Sequence, residues 1–201
     1  MIRLLLADDQ ALVRGALSAL LGLEADLEVV AEVGSGDAVV PAVLAHHPHV
    51  ALLDVEMPGL DGITATAAVR DASPQTKVLI VTTFGRPGYL RRALQAGASG
   101  FVVKDTPAPQ LADAVRRVHQ GLRVVDPMLA TDSLVAGESP LTQRETEVLQ
   151  AARDGASVAT IAGRLFLSEG TVRNHLSAAI GKTGAANRTE AVLTAESNGW
   201  L

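Results

Sequence analysis

Val50-Ala-Leu-Leu53-Asp54-Val-Glu56-Met-Pro58-Gly59-Leu-Asp61-Gly62 decides the fold. A run of four apolar residues is what a strand buried on both faces requires, and Asp61 before Gly62-Ile63 is a helix N-terminal cap. The stretch is therefore a strand, an acidic residue, a turn and a helix. The same order recurs on either side of it. Ile2 to Ala7, Val29 to Val33, Val78 to Thr82 and Phe101 to Val103 are similar apolar runs, each followed by a helix-length segment. Five strands with intervening helices predict a doubly wound α/β domain, its five-stranded parallel sheet in the order 2-1-3-4-5. Gly97 after Ala96 predicts a helix stop. Pro41 falls inside the expected second helix and predicts a late start or a kink there.

After Gln120 the alternation stops. Gly121-Leu-Arg-Val-Val-Asp-Pro127 leads through a short segment to the turn-rich Ala136-Gly-Glu-Ser-Pro140, and from Leu141 onward the pattern is helical, with turn signals at Gly155, Ser168 and Gly184. The expected organisation is a domain over residues 1–121, a linker over 122–138 and a small all-α domain of four helices over 139–201. Hydrophobic residues make up 48% and aromatic residues 2% of the chain, so its cores are built from Ala, Leu and Val rather than stacked rings. No apolar run is long enough to span a bilayer and no secretory leader pattern opens the chain, so a soluble, cytoplasmic protein is expected. The absence of cysteine excludes disulfides, zinc-thiolate sites and thiol catalysis. A net charge of -5 argues against a nucleic-acid partner, but its distribution is uneven. Residues 1–121 carry 13 acidic against 10 basic residues, whereas 139–201 carry 6 of each. Between residues 164 and 188, Arg164, Arg173, Lys182 and Arg188 face only Glu169.

In an open parallel sheet the working crevice lies at the carboxyl ends of the strands. Asp8 and Asp9 follow the first strand and Asp54 follows the third, which is its neighbour in the expected order. Three carboxylates would converge there. Like charges held together raise one another's pKa unless a cation neutralises them, and Mg²⁺ is the hard divalent ion suited to such oxygen ligands. Two further strand ends supply a hydroxyl, Thr82, and a cation, Lys104. The set describes an aspartate that accepts phosphate. Taken singly, Asp8 and Asp9 could cap a helix over Ala11 to Leu23, Thr82 could be a satisfied strand-end hydroxyl and Lys104 a solvated lysine. Their coincidence at one edge of one sheet favours the chemical reading.

These residues, with the Asp54 to Gly62 stretch, resemble a CheY-like receiver. The resemblance implies that Asp54 is the phosphoacceptor and that Asp8, Asp9, Asp54 and the main-chain carbonyl of Glu56 hold Mg²⁺. It places Lys104 on the phosphoryl group and Thr82 and Phe101 at the switch positions. A phosphoryl oxygen would draw the Thr82 hydroxyl inward, and the vacated space would let Phe101 rotate inward, shifting a pre-existing equilibrium. Phe101 lacks a hydroxyl that could hold an outward rotamer; its plain alternative is ordinary core. Glu56, two residues beyond the acceptor, is expected to overhang the site and tune phosphate lifetime.

In the second domain, Thr142 with Glu145 three residues later is a capping box opening a helix to about Asp154. A helix over Val158 to Leu165, then Phe166-Leu167-Ser168, then a helix over Glu169 to Lys182 capped by Ser168 suggest a helix-turn-helix. Val172, Leu176, Ala179 and Ile180 form the apolar face of the last. Arg173, Asn174 and Ser177 lie on the other face, suited to guanine, to adenine and to either. Thr171, His175, Lys182 and Arg188 are the candidates for DNA phosphate contacts. A solvated amphipathic face is the alternative. Leu141-Thr-Gln-Arg-Glu-Thr-Glu-Val-Leu149, Ile161-Ala162, Leu167-Ser-Glu-Gly-Thr171-Val-Arg-Asn-His175 and Asn187-Arg-Thr-Glu-Ala191 closely resemble a LuxR-type helix-turn-helix.

Together the two halves resemble the NarL/FixJ family of response regulators over all but the linker. The resemblance implies a transcription factor rather than an enzyme, phosphorylated by a sensor histidine kinase and binding two-fold operators in double-stranded DNA as a homodimer. It suggests receiver pairing through the first and fifth helices and a further contact through the final helix, about Thr189 to Ser197. Residues 139–201 hold no cluster of catalytic types beyond the isolated His175. The chain departs from the family at Ser157-Val158, where Ser-Asn is usual, and in the sparse lysine of Ala178-Ala-Ile-Gly181. Weak phosphate attraction would make dimerisation or phosphorylation necessary for useful affinity.

Overall fold

The computed structural model describes residues 1–83, 87–127, 129–131 and 139–201, and the chain divides into two compact units. The first is built mainly from residues up to Thr131. Its elements are β1 (Ile2–Ala7), α1 (Ala11–Leu21), β2 (Leu27–Val33), α2 (Val39–His46), β3 (Val50–Leu53), α3 (Gly62–Ala72), β4 (Lys77–Thr82), α4 (Pro87–Gln95), β5 (Gly100–Val103), α5 (Ala108–His119) and β6 (Val124–Val125). The strands are parallel in the order β2-β1-β3-β4-β5-β6.

The alternation of side chains along each strand separates two apolar layers. Leu5, Leu53, Ile80 and Phe101 pack with Val39 and Val43 of α2, Ile63 and Val69 of α3, and Leu90 of α4. Leu4, Leu6, Leu52, Leu79 and Val102 point the other way, against Leu21 of α1 and Leu111, Val115 and Val118 of α5. Burial on both faces explains why the middles of the central strands are apolar, with Arg3 near the start of β1 and Lys77 and Thr82 at the two ends of β4.

The sheet has one strand more than expected. Val124–Val125, from the segment assigned to the linker, pairs with Gly100 and Phe101, and Val124 is buried. Two valines between Arg123 and Asp126-Pro127 are too short a run to announce a strand; pairing along β5 makes them one. Of the rest of the expected linker, residues 127 and 129–131 are helical, with Leu129 buried, while residues 128 and 132–138 lie outside the described residues. Pro41 produces the late start: a 3-10 turn at Gly36–Ala38 precedes α2, and Pro41 sits in its first turn, where no intrahelical N–H bond is lost. α1 ends at Leu21 rather than Leu23, because the N–H of Leu23 bonds the carbonyl of Leu20 and tightens the final turn.

The second unit contains α6 (Gln143–Ala151), α7 (Val158–Leu165), α8 (Glu169–Thr183) and α9 (Arg188–Ser197). Val148, Leu149, Ile161, Val172, Leu176, Ala179, Ala191 and Ala195 form its core. α6 stops three residues before the expected Asp154, at a turn in which Gly155 takes a φ of 78°. Among the described residues no helix is long and apolar enough to cross a membrane.

Candidate functional site

The chain enters the site along β1 and β3. Neighbouring parallel strands end together, and the N–H of Asp54 bonds the carbonyl of Ala7 at 2.8 Å, so Asp8 and Asp54 emerge side by side. Asp8, Asp9 and Asp54 each bring a carboxylate oxygen within 4.8 Å of the others; Asp8 and Asp54 are buried and Asp9 is exposed. Asp8 is not a helix cap. Gln10 holds the N-cap position of α1 without a side-chain bond, and Asp8 Oδ1 instead accepts the Gln10 N–H at 2.9 Å.

Lys104 follows β5, where its N–H bonds the carbonyl of Thr82 at 2.8 Å. Its Nζ lies 2.7 Å from Asp8 Oδ2 and 2.8 Å from Asp54 Oδ2, with its side chain only 7% exposed. It is therefore not a solvated lysine. Burial pushes the Asp54 carboxyl above the usual carboxylate range, with Lys104 pulling against it and Asp8 adding to it. Burial also disfavours the Lys104 charge, but its bonds to Asp54 and Asp8 outweigh this and hold it above the ordinary lysine value. Thr82 ends β4 opposite Val103 and is buried. Phe101 is fully inside the core, so the inward position expected of it after phosphorylation is already filled. Glu56 is exposed beyond Asp54.

Three carboxylates against one ammonium leave the cluster negative, and its donors are hard oxygens at the open end of a sheet. This donor set fits a divalent cation such as Mg²⁺. The turn that follows is held by close backbone approach. The Gly62 N–H bonds the Val55 carbonyl at 2.9 Å, and a Cβ on Gly62 would fall 1.9 Å from the Asp54 carbonyl oxygen. Asp61 caps α3 as expected, accepting from the N–H groups of Ile63 and Thr64. Arg14 was not legible as a part of the site. From α1 it donates to the main-chain carbonyl of Asp8 and lies 3.7 Å from Glu32, and nothing in the spacing of residues 8 and 14 announces it.

In the second unit, Ser168 caps α8 by accepting the Thr171 N–H at 3.1 Å. Val172, Leu176 and Ala179 are buried, which leaves Arg173, Asn174 and Ser177 exposed together on the other face. Thr171 and His175 are half-buried. Three of the candidate phosphate contacts have side-chain partners within the unit: Thr171 Oγ1 lies 2.8 Å from Ser168 Oγ, Lys182 Nζ lies 2.8 and 3.0 Å from the Glu145 carboxylate, and Arg188 donates to the Ala156 carbonyl at 2.7 Å. Glu145 is thus both the capping-box glutamate of α6 and the anchor of the end of α8. Burial works against its charge, but Lys182 and the bonds from Thr142 prevail and hold its carboxyl below the usual glutamate range. The capping box was visible in sequence; its second task, 37 residues away, was not.

The family model of response regulator receiver domains matches residues 4–116, and that of bacterial regulatory proteins of the luxR family matches residues 139–195. The transcriptional regulatory proteins YvfU and DesR of Bacillus subtilis (strain 168) are 43% and 42% identical to the chain, each over 100% of both chains. A solved complex of the two-component response regulator RcsB with DNA aligns with a TM-score of 0.71 at 25% identity, covering 98% of both chains.

Proposed function

The chain belongs to the two-component response regulators, a receiver domain followed by a LuxR-type domain, and we propose that a sensor histidine kinase phosphorylates Asp54, causing it to dimerise and bind two-fold operators in double-stranded DNA. In this reading it acts as a cytoplasmic regulator of transcription and not as an enzyme. The observation that carries the proposal is the buried Asp54 carboxylate beside Asp8 and Asp9, 2.8 Å from Lys104, at the open end of the sheet.

An Asp54 oxygen attacks the phosphorus of the donor as the bond from phosphorus to its leaving group breaks. Asp8, Asp9, Asp54 and the main-chain carbonyl of Glu56 would hold Mg²⁺, which when bound supplies the positive charge that lets phosphoryl oxygens approach three carboxylates. Once Asp54 is phosphorylated, Lys104 loses one of its two carboxylates and pairs with a phosphoryl oxygen instead. Thr82, one strand away, donates its hydroxyl to another. With Phe101 already inside, these two contacts carry the difference between the states, and Phe101 serves the switch as packing beneath Thr82. The exposed Glu56 side chain sits where it can influence loss of the phosphoryl group.

Support for a second copy as partner comes from α1. Leu12 is 87% and Leu20 44% exposed, with exposed Ala16 and Ala19 between them and exposed Leu23 just beyond the helix. That spacing is an apolar helical stripe without a covering element among the described residues. Support for DNA as ligand comes from the exposed Arg173, Asn174 and Ser177 on α8 and from the solved RcsB–DNA complex. Thr171 and His175 lie beside the reading face as phosphate contacts, while Lys182 and Arg188 would have to share their charge with Glu145 and Ala156. Sedimentation of the full chain with and without acetyl phosphate and Mg²⁺ tests the proposal. Wild type should shift from monomer to dimer and Asp54→Asn should not; an unchanged wild-type profile overturns it.

A further inference from the structure

We infer that Glu169 sets the sequence selectivity of α8, by holding Arg173 in a geometry that a base edge can share and a DNA phosphate cannot. The inference rests on the reading of α8 as the DNA-reading helix. Glu169 is the first residue of α8, and its Oε2 lies 2.6 Å from Arg173 Nη2, one turn along; the side chains are 50% and 62% exposed. A carboxylate at this end of a helix is favoured by the helix dipole, so Glu169 is held where Arg173 can reach it.

The pair belongs to a wider pattern. Of the six cations in residues 139–201, five are ion-paired within the unit: Arg144 with Glu147, Arg153 with Glu196, Arg164 with Asp154, Arg173 with Glu169 and Lys182 with Glu145. Arg188 donates to a main-chain carbonyl. The cations of the helical unit are therefore internally neutralised, and the unit offers DNA phosphates little unpaired charge.

On such a surface the two kinds of DNA contact differ in what they demand of Glu169. A guanidinium has five N–H donors, so Arg173 can keep Nη2 on Glu169 and present its remaining donors to the O6 and N7 acceptors of a guanine. A phosphate bound by Arg173 instead brings a second anion against the same group, setting phosphate and carboxylate in repulsion. Base contact preserves the pair and backbone contact breaks it. Non-specific complexes, which depend on phosphate contacts, are therefore penalised selectively.

The test uses the full chain with acetyl phosphate and Mg²⁺, a duplex selected by wild type from a random-sequence library, and a scrambled duplex. Anisotropy titrations run on both over about 50 to 200 mM salt. Glu169→Gln should raise affinity for the scrambled duplex about two- to fivefold, the equivalent of an exposed ion pair, and steepen its slope of log affinity against log salt by about 0.9. Affinity for the selected duplex should not rise, so the ratio of the two falls. In an Arg173→Ala background the same substitution should leave the ratio unchanged. An equal rise on both duplexes, no change on either, or a change that persists without Arg173 overturns the inference. If wild type selects no duplex, the reading of α8 as the DNA-reading helix fails first. Helicity of each variant by circular dichroism shows that α8 is intact.

Discussion

Lys104→Met isolates the charge that Lys104 contributes, because methionine retains most of the length and the apolar stem. In the wild type one ammonium lies 2.7 Å from Asp8 and 2.8 Å from Asp54, with the two carboxylate side chains 4% and 5% exposed. Removing one partner of a buried ion pair costs about 3–5 kcal/mol, because the remaining charge is left uncompensated. Asp54 can take up a proton and soften the loss, which places the expected cost near 3 kcal/mol without divalent ions. At about 3 °C for each kcal/mol in a domain of this size, the receiver transition should fall by roughly 10 °C. Scanning calorimetry in EDTA measures it. Asp54→Asn in the same background removes one of the two opposed carboxylates and should recover most of the loss, and Mg²⁺ should recover much of it in Lys104→Met alone. A fall of less than about 3 °C, equivalent to 1 kcal/mol, or no recovery from Asp54→Asn, refutes the charge argument.

Gly62→Ala should destabilise the receiver by about 1–3 kcal/mol, since its Cβ would lie 1.9 Å from the Asp54 carbonyl oxygen and the turn must shift; thermal unfolding reads this directly. The helical unit should lose stability in acid through Glu145. Its carboxyl is held below the usual range when folded, so the stabilisation is complete above the ordinary glutamate value and is lost as pH falls through the folded value. Fluorescence of Trp200, the single tryptophan, which packs on the core of that unit, follows the transition, and Glu145→Gln should flatten its pH dependence. Leu12→Lys with Leu20→Lys should leave phosphorylation intact while reducing dimer formation at least tenfold, about 1.4 kcal/mol, in sedimentation; a wild-type dimer constant would remove α1 from the interface.

Much of the receiver was legible because its chemistry sits where apolar runs end. Asp8, Asp54 and Lys104 each follow, and Thr82 ends, a strand that hydrophobicity alone reveals, and parallel order brings strand ends together. β6 was not legible, because Val124 and Val125 become a strand only through pairing with β5. The same limit applies to partners. Capping by Asp61, Thr142 and Ser168 is local and was visible, whereas the Lys182–Glu145 pair spans 37 residues and was not. Phe101 illustrates a third limit, since the family resemblance placed it at a switch position, with ordinary core as the alternative, and only packing shows it already buried.

Site mapping on the phosphorylated full chain bears most directly on the role of Asp54. After incubation with acetyl phosphate and Mg²⁺, borohydride reduction and peptide mass spectrometry should place a single modification on Asp54, absent with EDTA and absent from Asp54→Asn. Modification at another residue, or undiminished labelling of Asp54→Asn, would contradict the assignment of Asp54 as the phosphoacceptor.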